Sequence, residues 1–470
     1  MEIQRENRFL FCIWLGLFLF LFFLRISGGR GDPASNDALE QERIAAAQPS
    51  AAPSEATPPP DREAGEEAEQ EPVIRVLLTD SSQTGYFHQE VDFTCGSGAR
   101  INGSEAVQAG EAVKVTADDS RFSEEKIEVE PEDPEAGIAV SSITRAQGTP
   151  VYQGTLEIYR TQQGLYLVNV LDLETYLKYV VPSEMPASYA MEALKAQAVC
   201  ARTYACRAIE ENALAEYHAH VDDSVSYQVY NNIERQETSD QAVDETAGQI
   251  MTWEGQPITA YFFSTSCGYT STSEVWSGEN GEGYLKSVYL GSDSPKDVQT
   301  EEVFASFIQT KDPDDYESED GWYRWKVIIP AEVLDQRLEE YGIGALQDMT
   351  VLGRSSGGAV TKLQLTGTGG TALLTNEYAI REFLSVKGIA VTKNDGTRTT
   401  EMNLLPSAYF ISSGVYDGGK LTGFQILGGG YGHGVGMSQN GAEHLAGQGY
   451  SWQEILNFFY KDIQLQQAEA

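Results

Sequence analysis

The sequence predicts an α+β fold that is mainly antiparallel β, with one long alanine-rich helix and several shorter helices, preceded by a transmembrane anchor and a disordered linker. Short apolar runs separated by Gly, Asn and Asp turns predict the strands. One long stretch without Gly or Pro predicts the main helix. Strands and helices follow each other without a regular βαβ rhythm, which indicates α+β rather than a parallel α/β sheet.

The anchor is predicted from the first 30 residues. From Phe9 to Leu24 the chain is almost entirely Phe, Leu, Ile and Trp, and this length approaches that of a bilayer span. Arginines lie on both sides and orient the segment only weakly. A signal peptide is the alternative, because small residues follow at 27–29. No clean A-x-A cleavage site is present, which favours an uncleaved anchor over residues 1–30. Both interpretations place the rest of the chain outside the cytoplasm.

Residues 31–72 are rich in Ala, Pro, Glu, Gln and Ser and end in PPPDREAGEEAEQEP. Such a segment has almost no apolar side chain to bury, so it is predicted to be a disordered acidic linker. A linker after an anchor would let the folded part work away from the membrane.

The folded region is predicted to begin at Val73. Residues 73–172 form an N-terminal β-rich region, with strands expected in VIRVLLT, VYQGTLEIYR and GLYLVNVLDL. From Leu173 the pattern becomes helical, and residues 173–300 are the predicted catalytic core. Within it, EALKAQAVCARTYACRAIEENAL is predicted to be one helix. Six alanines between 193 and 208 make one face small, so this helix can pack closely on its neighbours.

Two further parts complete the prediction, an α+β subdomain over 301–400 and a C-terminal core over 401–470. Strands are expected in QIMTW and ITAYFFS of the catalytic core, and in YRWKVIIP, VTKLQLTG and KLTGFQILGGG of these two parts. Shorter helices are expected in AEVLDQRLEEYG, NEYAIREFLSV and SWQEILNFFY.

The net charge is −38, from 70 acidic and 32 basic residues. It argues against nucleic acid as a partner, since binding needs clustered Lys and Arg. It also argues against broad docking on an anionic membrane surface. A neutral polymer such as a polysaccharide is compatible with this charge, although the charge alone does not select it.

Of the five cysteines, Cys12 lies in the apolar segment and the other four are scattered without a C-x-x-C pair. A small disulfide scaffold is therefore excluded. Cys200 and Cys206 would point to different faces of the helix and should not bridge each other. One long-range disulfide stays open, and buried free thiols are the favoured interpretation.

The first candidate for chemistry is Glu184, in VVPSEMP between Pro182 and Pro186. The prolines are expected to keep this segment as a stiff, extended loop just before the long helix. A rigid, partly apolar loop can raise the pKa of a carboxyl group, as a general acid requires, whereas a nearby helix N-terminus acts in the opposite direction. Spacing alone leaves two interpretations open, a general acid and a residue that merely caps or solvates the helix start.

The second candidate is the glycine-rich stretch GGGYGHGVGMSQNGA, residues 428–442. Its glycines let the backbone approach a ligand closely, and His433, Ser438 and Gln439 supply polar side chains. No P-loop lysine follows and no βαβ unit surrounds the stretch, so a phosphate loop and a dinucleotide fingerprint are both disfavoured. A glycine-rich turn with a structural histidine is the alternative.

The third candidate is ITAYFFSTSCGYTSTSEVW, residues 258–276, in which hydroxyls follow an apolar strand. The hydroxyl cluster consists of Ser264, Thr265, Ser266, Tyr269 and Thr270. Hydroxyls and aromatic faces suit sugar recognition, and an ordinary Ser/Thr-rich turn is the alternative.

Metal binding has one candidate, the pair His218 and His220 followed by Asp222 and Asp223. His-x-His with a carboxylate can hold zinc, and His433 or His444 could join from afar. The chain has only five histidines and this segment resembles an exposed loop, so no functional metal is expected.

Together these three stretches resemble the stage II sporulation protein D family, which also includes amidase-enhancer proteins of bacterial cell walls. The resemblance rests on VVPSEMPASYAMEALKAQAVCARTYA, on ITAYFFSTSCGYTSTSEVW with YLKSV, and on GGGYGHGVGMSQNGAEHLAGQGYSWQEILNFFY. NEYAIREFLSVKG fits the family's order as well, and the match runs from about Val73 to Leu465.

The resemblance implies a lytic transglycosylase that cleaves the bond between N-acetylmuramic acid and N-acetylglucosamine, preferably in glycan strands stripped of peptides. Its catalytic glutamate, in the E-M-P motif, is here Glu184. The expected substrate-binding residues are Arg202, Ser264, Ser266, Thr270, His433, Ser438 and Gln439. The resemblance also implies a single-pass protein of the cell membrane that faces the wall and works with a partner amidase and membrane sporulation proteins during engulfment.

One carboxylate suffices for this reaction, and no second acidic residue is near Glu184 in the sequence, the nearest being Glu174 and Glu192. The chain departs from the family where some members bind zinc, because HVDDSVSYQVY has Asp222 and Tyr227 near the positions expected for cysteine. No cofactor is therefore expected. Two other functions stay open, a non-catalytic wall-binding enhancer of an N-acetylmuramoyl-L-alanine amidase and a zinc hydrolase. We expect the three stretches to meet around one groove.

Overall fold

The computed structural model describes residues 72–83, 85–122, 125–145, 147–224, 227–278 and 282–468. The predicted anchor, 1–30, and all but the last residue of the predicted linker, 31–72, lie outside these residues. Within the described ranges, no helix has both the length and the apolar character that a bilayer crossing needs. The described chain is α+β and its strand pairs are mainly antiparallel, as the sequence predicts.

The largest sheet is built from the N-terminal half of the described chain. Its strand order is β11 (Val221–Asp222), β1 (Val73–Leu78), β10 (Leu165–Asp172), β9 (Thr155–Arg160), β6 (Lys126–Pro131), β3 (Ala99–Ile101) and β4 (Glu105–Val107). A second sheet has the order β5 (Ala112–Thr116), β2 (Glu90–Cys95), β7 (Ile138–Val140) and β8 (Val151–Tyr152). Strand β2 alternates between buried and more exposed side chains, the pattern of a half-buried antiparallel strand.

Three helices follow in the chain and share one hydrophobic core with these sheets, namely α1 (Leu173–Glu184), α2 (Met191–Glu211) and α3 (Glu237–Glu245). Helix α1 begins where Asp172 accepts a hydrogen bond from the Thr175 amide at 2.7 Å, an N-cap that satisfies one free amide. All six alanines of α2 between 193 and 208 are buried, which confirms the small, closely packed face.

A second hydrophobic core includes residues from Trp322 to Tyr431. Its five-stranded sheet has the order β20 (Arg398–Thr399), β19 (Val391–Lys393), β15 (Trp325–Pro330), β22 (Lys420–Gly428) and β21 (Phe410–Asp417). A three-stranded sheet consists of β16 (Leu346–Arg354), β17 (Val360–Gly367) and β18 (Gly370–Leu374). Helices α6 (Ala331–Leu338) and α7 (Glu377–Phe383) contribute to this core, whereas α5 (Glu301–Ile308) packs in the first.

The C-terminal segment returns to the first core through helices α8 (Gln439–Gly447) and α9 (Trp452–Phe459). Two small sheets join it to this core. One has the order β13 (Gln256–Pro257), β12 (Gln249–Trp253) and β24 (Gln464–Gln467). The other pairs β14 (Phe262–Phe263) with β23 (Met437–Ser438). Because β14 belongs to the hydroxyl-rich stretch and β23 to the glycine-rich stretch, this second pairing joins two of the three predicted functional segments. The short helix α4 (Glu274–Ser277) begins at the end of the hydroxyl-rich stretch.

The prediction of an extended proline-bounded loop before the long helix is wrong. Residues 173–184 are helical and Pro182 lies inside the last turns of α1. A proline inside a helix loses one backbone hydrogen bond and crowds the carbonyl four residues earlier, but the buried side chains of Leu177, Val180 and Val181 hold the helix in place. The helix ends at Glu184, and the extended Met185 follows it.

The described cysteines are free thiols. Cys95, Cys200 and Cys267 are buried, as the favoured interpretation of buried free thiols expects, whereas Cys206 is half-buried. Burial raises the pKa of Cys200 and that of Cys267 to about 12, so these thiols stay protonated and inert at neutral pH.

Candidate active site

A cleft of about 470 Å³ opens at the C-terminal end of α1. Segments from all three predicted stretches line it, together with one segment that the sequence did not single out. The lining residues are Pro182, Ser183, Glu184, Met185, Pro186, Tyr189, Val229, Asn231, Ser264, Thr265, Asp320, Gly321, Trp322, Tyr431, Gln439 and Asn440. The expectation that the three stretches surround one groove is therefore confirmed.

Glu184 lies in the wall of this cleft and is 8% exposed. One of its carboxylate oxygens, Oε1, accepts a hydrogen bond from the Val229 amide at 2.8 Å. Its main-chain carbonyl accepts from the side-chain amide of Gln439 at 3.1 Å. Both the carboxylate and the backbone that carries it are thus held by residues of the same cleft wall.

Gln439 is the predicted substrate-binding residue with the closest tie to Glu184. Its Nε2 donates to the Glu184 carbonyl and lies 3.5 Å from the Oε1 atom of Gln197, a fully buried residue of α2. Helix α8 begins at Gln439, and Ser438 caps it by accepting from the Gly441 amide at 3.2 Å. The start of α8 therefore helps to fix the position of the segment that carries Glu184.

Ser264 also lies in the cleft, as predicted, and its neighbour Thr265 joins it. The Thr265 hydroxyl accepts from the Asn440 side chain at 3.0 Å, and the Ser264 carbonyl accepts from the Asn440 amide at 3.0 Å. The Tyr189 hydroxyl donates to the side-chain oxygen of Asn440. These contacts form a polar wall of hydroxyl and amide groups, the donors and acceptors that sugar hydroxyls require.

Ser266 and Ser438 do not line the cleft, because the hydroxyl groups of both donate hydrogen bonds to a buried glutamate. Glu317 is fully buried, and its carboxylate accepts from the Ser266 hydroxyl and, at 2.6 Å, from the Ser438 hydroxyl. The Ser266 amide adds a third hydrogen bond at 3.0 Å. Burial raises the pKa of Glu317 to about 7 against these stabilising hydrogen bonds. This placement does not fit the prediction that the two serines bind substrate. Their side chains instead hold the cleft loops from the buried side.

His433 and Thr270 likewise do not line the cleft. The Val435 amide donates to His433 Nδ1 at 3.0 Å, which leaves Nε2 to donate to the Phe262 carbonyl at 3.0 Å. The Thr270 hydroxyl accepts from the Val288 amide at 3.0 Å. Both residues are buried and hold backbone, so their predicted role in substrate binding does not fit; the structural histidine was the alternative interpretation.

Arg202 likewise does not have the position that its predicted role in substrate binding requires. It is fully buried in α2, and its guanidinium donates to both carboxylate oxygens of Glu174, at 2.6 and 2.7 Å. Two further donations reach the carbonyls of Gln249 at 3.2 Å and Val243 at 3.3 Å. These contacts occupy the side chain in fastening α1, α3 and β12 to α2, so the prediction of substrate binding does not fit.

The segment that the sequence reading missed is Asp320–Gly321–Trp322. Asp320 accepts from His444 Nε2 at 3.2 Å, and this bond raises the pKa of His444. The Trp322 ring stacks on Tyr431, with centroids 4.8 Å apart. Glu184 is thus isolated from other carboxylates in the sequence, but Asp320 shares its cleft. The sequence SEDGW could have indicated this segment, because it is an acidic turn that ends in Gly and an aromatic residue.

Three of the candidate zinc ligands, His218, Asp222 and Asp223, have other side-chain partners in the described chain. His218 Nδ1 lies 2.8 Å from the Tyr166 hydroxyl, and its ring stacks on Tyr159. Asp222 accepts from Tyr86 at 2.8 Å and Asp223 from Thr79 at 2.7 Å. Among the described residues, the one group of His, Cys, Asp or Glu side chains close enough to share a metal ion is instead an exposed to half-buried acidic cluster, Asp293, Asp312 and Asp314. The absence of a cofactor stays a prediction.

Comparison with known proteins gives two family matches. Residues 161–253 match the family described as stage II sporulation protein, and residues 270–436 match a domain of unknown function. The first covers α1 and α2 with Glu184, and the second covers Asp320, Trp322 and Tyr431.

Several relatives are similar over most of the chain. The stage II sporulation protein D of Bacillus subtilis is 30% identical over 362 residues, 72% of this chain and 89% of that protein. An uncharacterised protein of Brachyspira hyodysenteriae is 31% identical, over 67% of this chain and 72% of its own length. The amidase enhancer of Bacillus subtilis is 29% identical, over 60% of this chain but only 39% of that larger protein.

Proposed function

The chain belongs to the stage II sporulation protein D family, and from that premise we propose that it is a lytic transglycosylase with Glu184 as its acid and base. Its substrate would be the glycan strand of peptidoglycan, cut between N-acetylmuramic acid and N-acetylglucosamine, with strands stripped of peptides preferred. The family and the names of its relatives support a role in the cell wall during sporulation.

The proposed reaction uses one carboxyl group twice. Glu184 first gives its proton to the glycosidic oxygen, and the bond from that oxygen to C1 of the muramic acid breaks. The carboxylate then takes the proton of the C6 hydroxyl on the same sugar, and the C6 oxygen bonds to C1. The product is a 1,6-anhydro ring, Glu184 is protonated again, and no water is consumed. The second carboxylate of ordinary glycoside hydrolysis is therefore not needed to activate water.

The observation that carries this proposal is the position of the Glu184 carboxylate. It lies in a cleft wall with Oε1 fixed by the Val229 amide, where three polar segments meet. A volume of about 470 Å³ suits a small portion of a glycan, since ligand sites commonly measure about 300–1,000 Å³. Hydroxyl and amide groups of Ser264, Thr265 and Asn440 can pair with sugar hydroxyls.

The proposal includes a location. The apolar segment from Phe9 to Leu24 would anchor the protein in the cell membrane, and the acidic linker would let the folded region reach the wall. A partner amidase would supply peptide-free strands. One relative is named an amidase enhancer, which supports the second candidate function, a wall-binding protein that stimulates such an amidase without cutting glycan itself.

The test digests peptide-free glycan strands with the wild-type protein and with Glu184→Gln. Glu234→Gln is the matched control, because Glu234 is exposed and lies near the Val229–Asn231 part of the cleft in sequence. Products are identified by mass. We expect anhydro-muramic ends from the wild type and from the control, and at least a 100-fold slower release from Glu184→Gln.

Each other result has a definite meaning. Reducing ends in place of anhydro ends would show a hydrolase and refute the transglycosylase mechanism. Full activity of Glu184→Gln would refute the assignment of the acid. An inactive wild type that still binds glycan and stimulates an amidase would establish the enhancer function instead.

A further inference from the structure

We infer that Asp320, held by His444, forms a subsite for the neutral sugar of the strand, N-acetylglucosamine, in the same cleft as Glu184. This inference rests on the proposed function for the identity of the polymer. It adds the register of that polymer in the cleft, and it assigns a specificity-determining residue to the part of the chain that matches a domain of unknown function.

The geometry leaves the Asp320 carboxylate ready for a ligand. Among the described residues, its hydrogen-bonding side-chain partner is His444, whose Nε2 lies 3.2 Å from Oδ2 and 3.4 Å from Oδ1. Its side chain is 24% exposed and lines the cleft. A carboxylate has about four acceptor positions, so several stay open for sugar hydroxyls.

The loop that carries Asp320 is held by hydrogen bonds from other parts of the chain. The Asn394 side chain donates to the carbonyls of Ser318 at 2.8 Å and of Asp320 at 3.0 Å. Glu317, three residues earlier, is fixed to two other cleft loops. A carboxylate on a fixed backbone loses little conformational freedom when a sugar binds, which favours affinity.

Charge then selects which sugar lies there. A strand from which an amidase has removed the peptides carries a carboxylate on each muramic acid and none on each glucosamine. The described residues that line the cleft include Glu184 and Asp320 but no Lys or Arg. Asp320 and Glu443 place negative potential at nearby Tyr189, whose pKa is raised to about 12 by burial first and then by these carboxylates. A muramoyl carboxylate beside Asp320 would be repelled, whereas a glucosamine ring offers only hydroxyl and amide groups.

The test measures binding in a Glu184→Gln background, so that no turnover occurs. The probe is chitotetraose, a neutral chain of four N-acetylglucosamine units. Asp320→Asn keeps the shape and removes the charge, and Asp320→Ala removes the group. Glu319→Gln is the matched control, because Glu319 is the adjacent, exposed carboxylate outside the cleft, paired with Lys311. Thermal unfolding of each variant verifies that it is folded.

We expect Asp320→Ala to weaken chitotetraose binding at least 10-fold, as for loss of a charged hydrogen-bond acceptor, and Asp320→Asn to weaken it by a smaller factor. Glu319→Gln should bind like its parent. Asp320→Asn should also shift the preference between chitotetraose and peptide-free strands toward the carboxylate-bearing strands. His444→Ala should weaken chitotetraose binding, and His444→Gln, which keeps a donor near the Nε2 position, should restore much of it.

Failure of this inference differs from failure of the proposed function. If Asp320→Asn and Asp320→Ala bind the probe like Glu319→Gln, or if the parent does not bind it, the subsite is refuted even when the wild type releases anhydro ends. If the wild type cuts no glycan but the Asp320 variants lose binding as expected, the subsite stands and the transglycosylase proposal falls.

Discussion

Replacing Arg202 by Met should destabilise the protein by several kcal/mol and leave glycan binding unchanged. The side chain is fully buried and donates to both oxygens of Glu174 and to the carbonyls of Gln249 and Val243. Met fills much of the same space but donates no hydrogen bond. The variant therefore removes the cation from the Glu174 carboxylate, which still accepts from the Gly248 amide at 3.2 Å, and it removes one donor from each of the two carbonyls.

The expected loss of stability follows from the groups that lose a hydrogen-bond partner. Removing one partner of a buried ion pair costs about 3–5 kcal/mol, because the remaining charge is left without compensation. The Glu174 side chain is 20% exposed, so water can partly solvate its carboxylate after the change, and the lower end of that range applies. We expect the free energy of unfolding to fall by about 3 kcal/mol.

Urea unfolding of the folded region measures this change, with chitotetraose binding as the second readout. Arg207→Met is the control, because Arg207 lies on the same helix, is 31% exposed and pairs with Glu211 one turn away. An exposed pair of that kind is worth less than about 1 kcal/mol. A variant Arg202→Met with unchanged stability and weakened glycan binding would refute the structural role and restore the substrate-binding role expected from the sequence.

Two further predictions concern the backbone and the pH dependence of stability. Gly436 and Gly419 have similar positive φ angles, 79° and 84°, but an added Cβ at Gly436 would lie 1.9 Å from the Tyr261 carbonyl oxygen while that at Gly419 meets open space. In urea unfolding, Gly436→Ala should cost at least about 2 kcal/mol more than Gly419→Ala, and equal costs would contradict the clash. The pKa of Glu317 is raised to about 7 in the folded state, so the folded protein holds a proton that the unfolded chain loses near pH 4.5. Stability should therefore fall as pH rises from 4.5 to 7, by about 3 kcal/mol more in the wild type than in Glu317→Gln, and parallel pH profiles of the two proteins would contradict this.

The sequence predicted the regular elements well where one physical signal dominated. The uninterrupted alanine-rich stretch is a helix, Met191–Glu211, because its small face packs closely and nothing breaks it. The alternating strand VTKLQLTG is β17, Val360–Gly367. Local rules failed at Pro182, which was expected to stop helix formation, because burial of neighbouring side chains outweighs one lost hydrogen bond near a helix end.

The candidate site was predicted in part. Glu184, Ser264 and Gln439 share the cleft as expected. Other polar residues of the same stretches, such as His433 and Ser266, turn inward and hold backbone or a buried carboxylate. A motif shows which polar side chains are present, but it does not show which of them face a ligand and which satisfy buried groups, because that depends on neighbours far along the chain.

By itself the sequence determined that the chain is an α+β protein of this family, with Glu184 as the candidate acid. That segments far apart in the chain meet in one groove was an expectation, which the cleft confirms. Only the tertiary structure decided which groups surround that glutamate. It gave the Glu184 carboxylate the Val229 amide as a partner, and it brought Asp320 into the cleft. The physical reason is that hydrogen bonds and charges act over distances in space, and contacts between residues far apart in the chain leave no local pattern in the sequence.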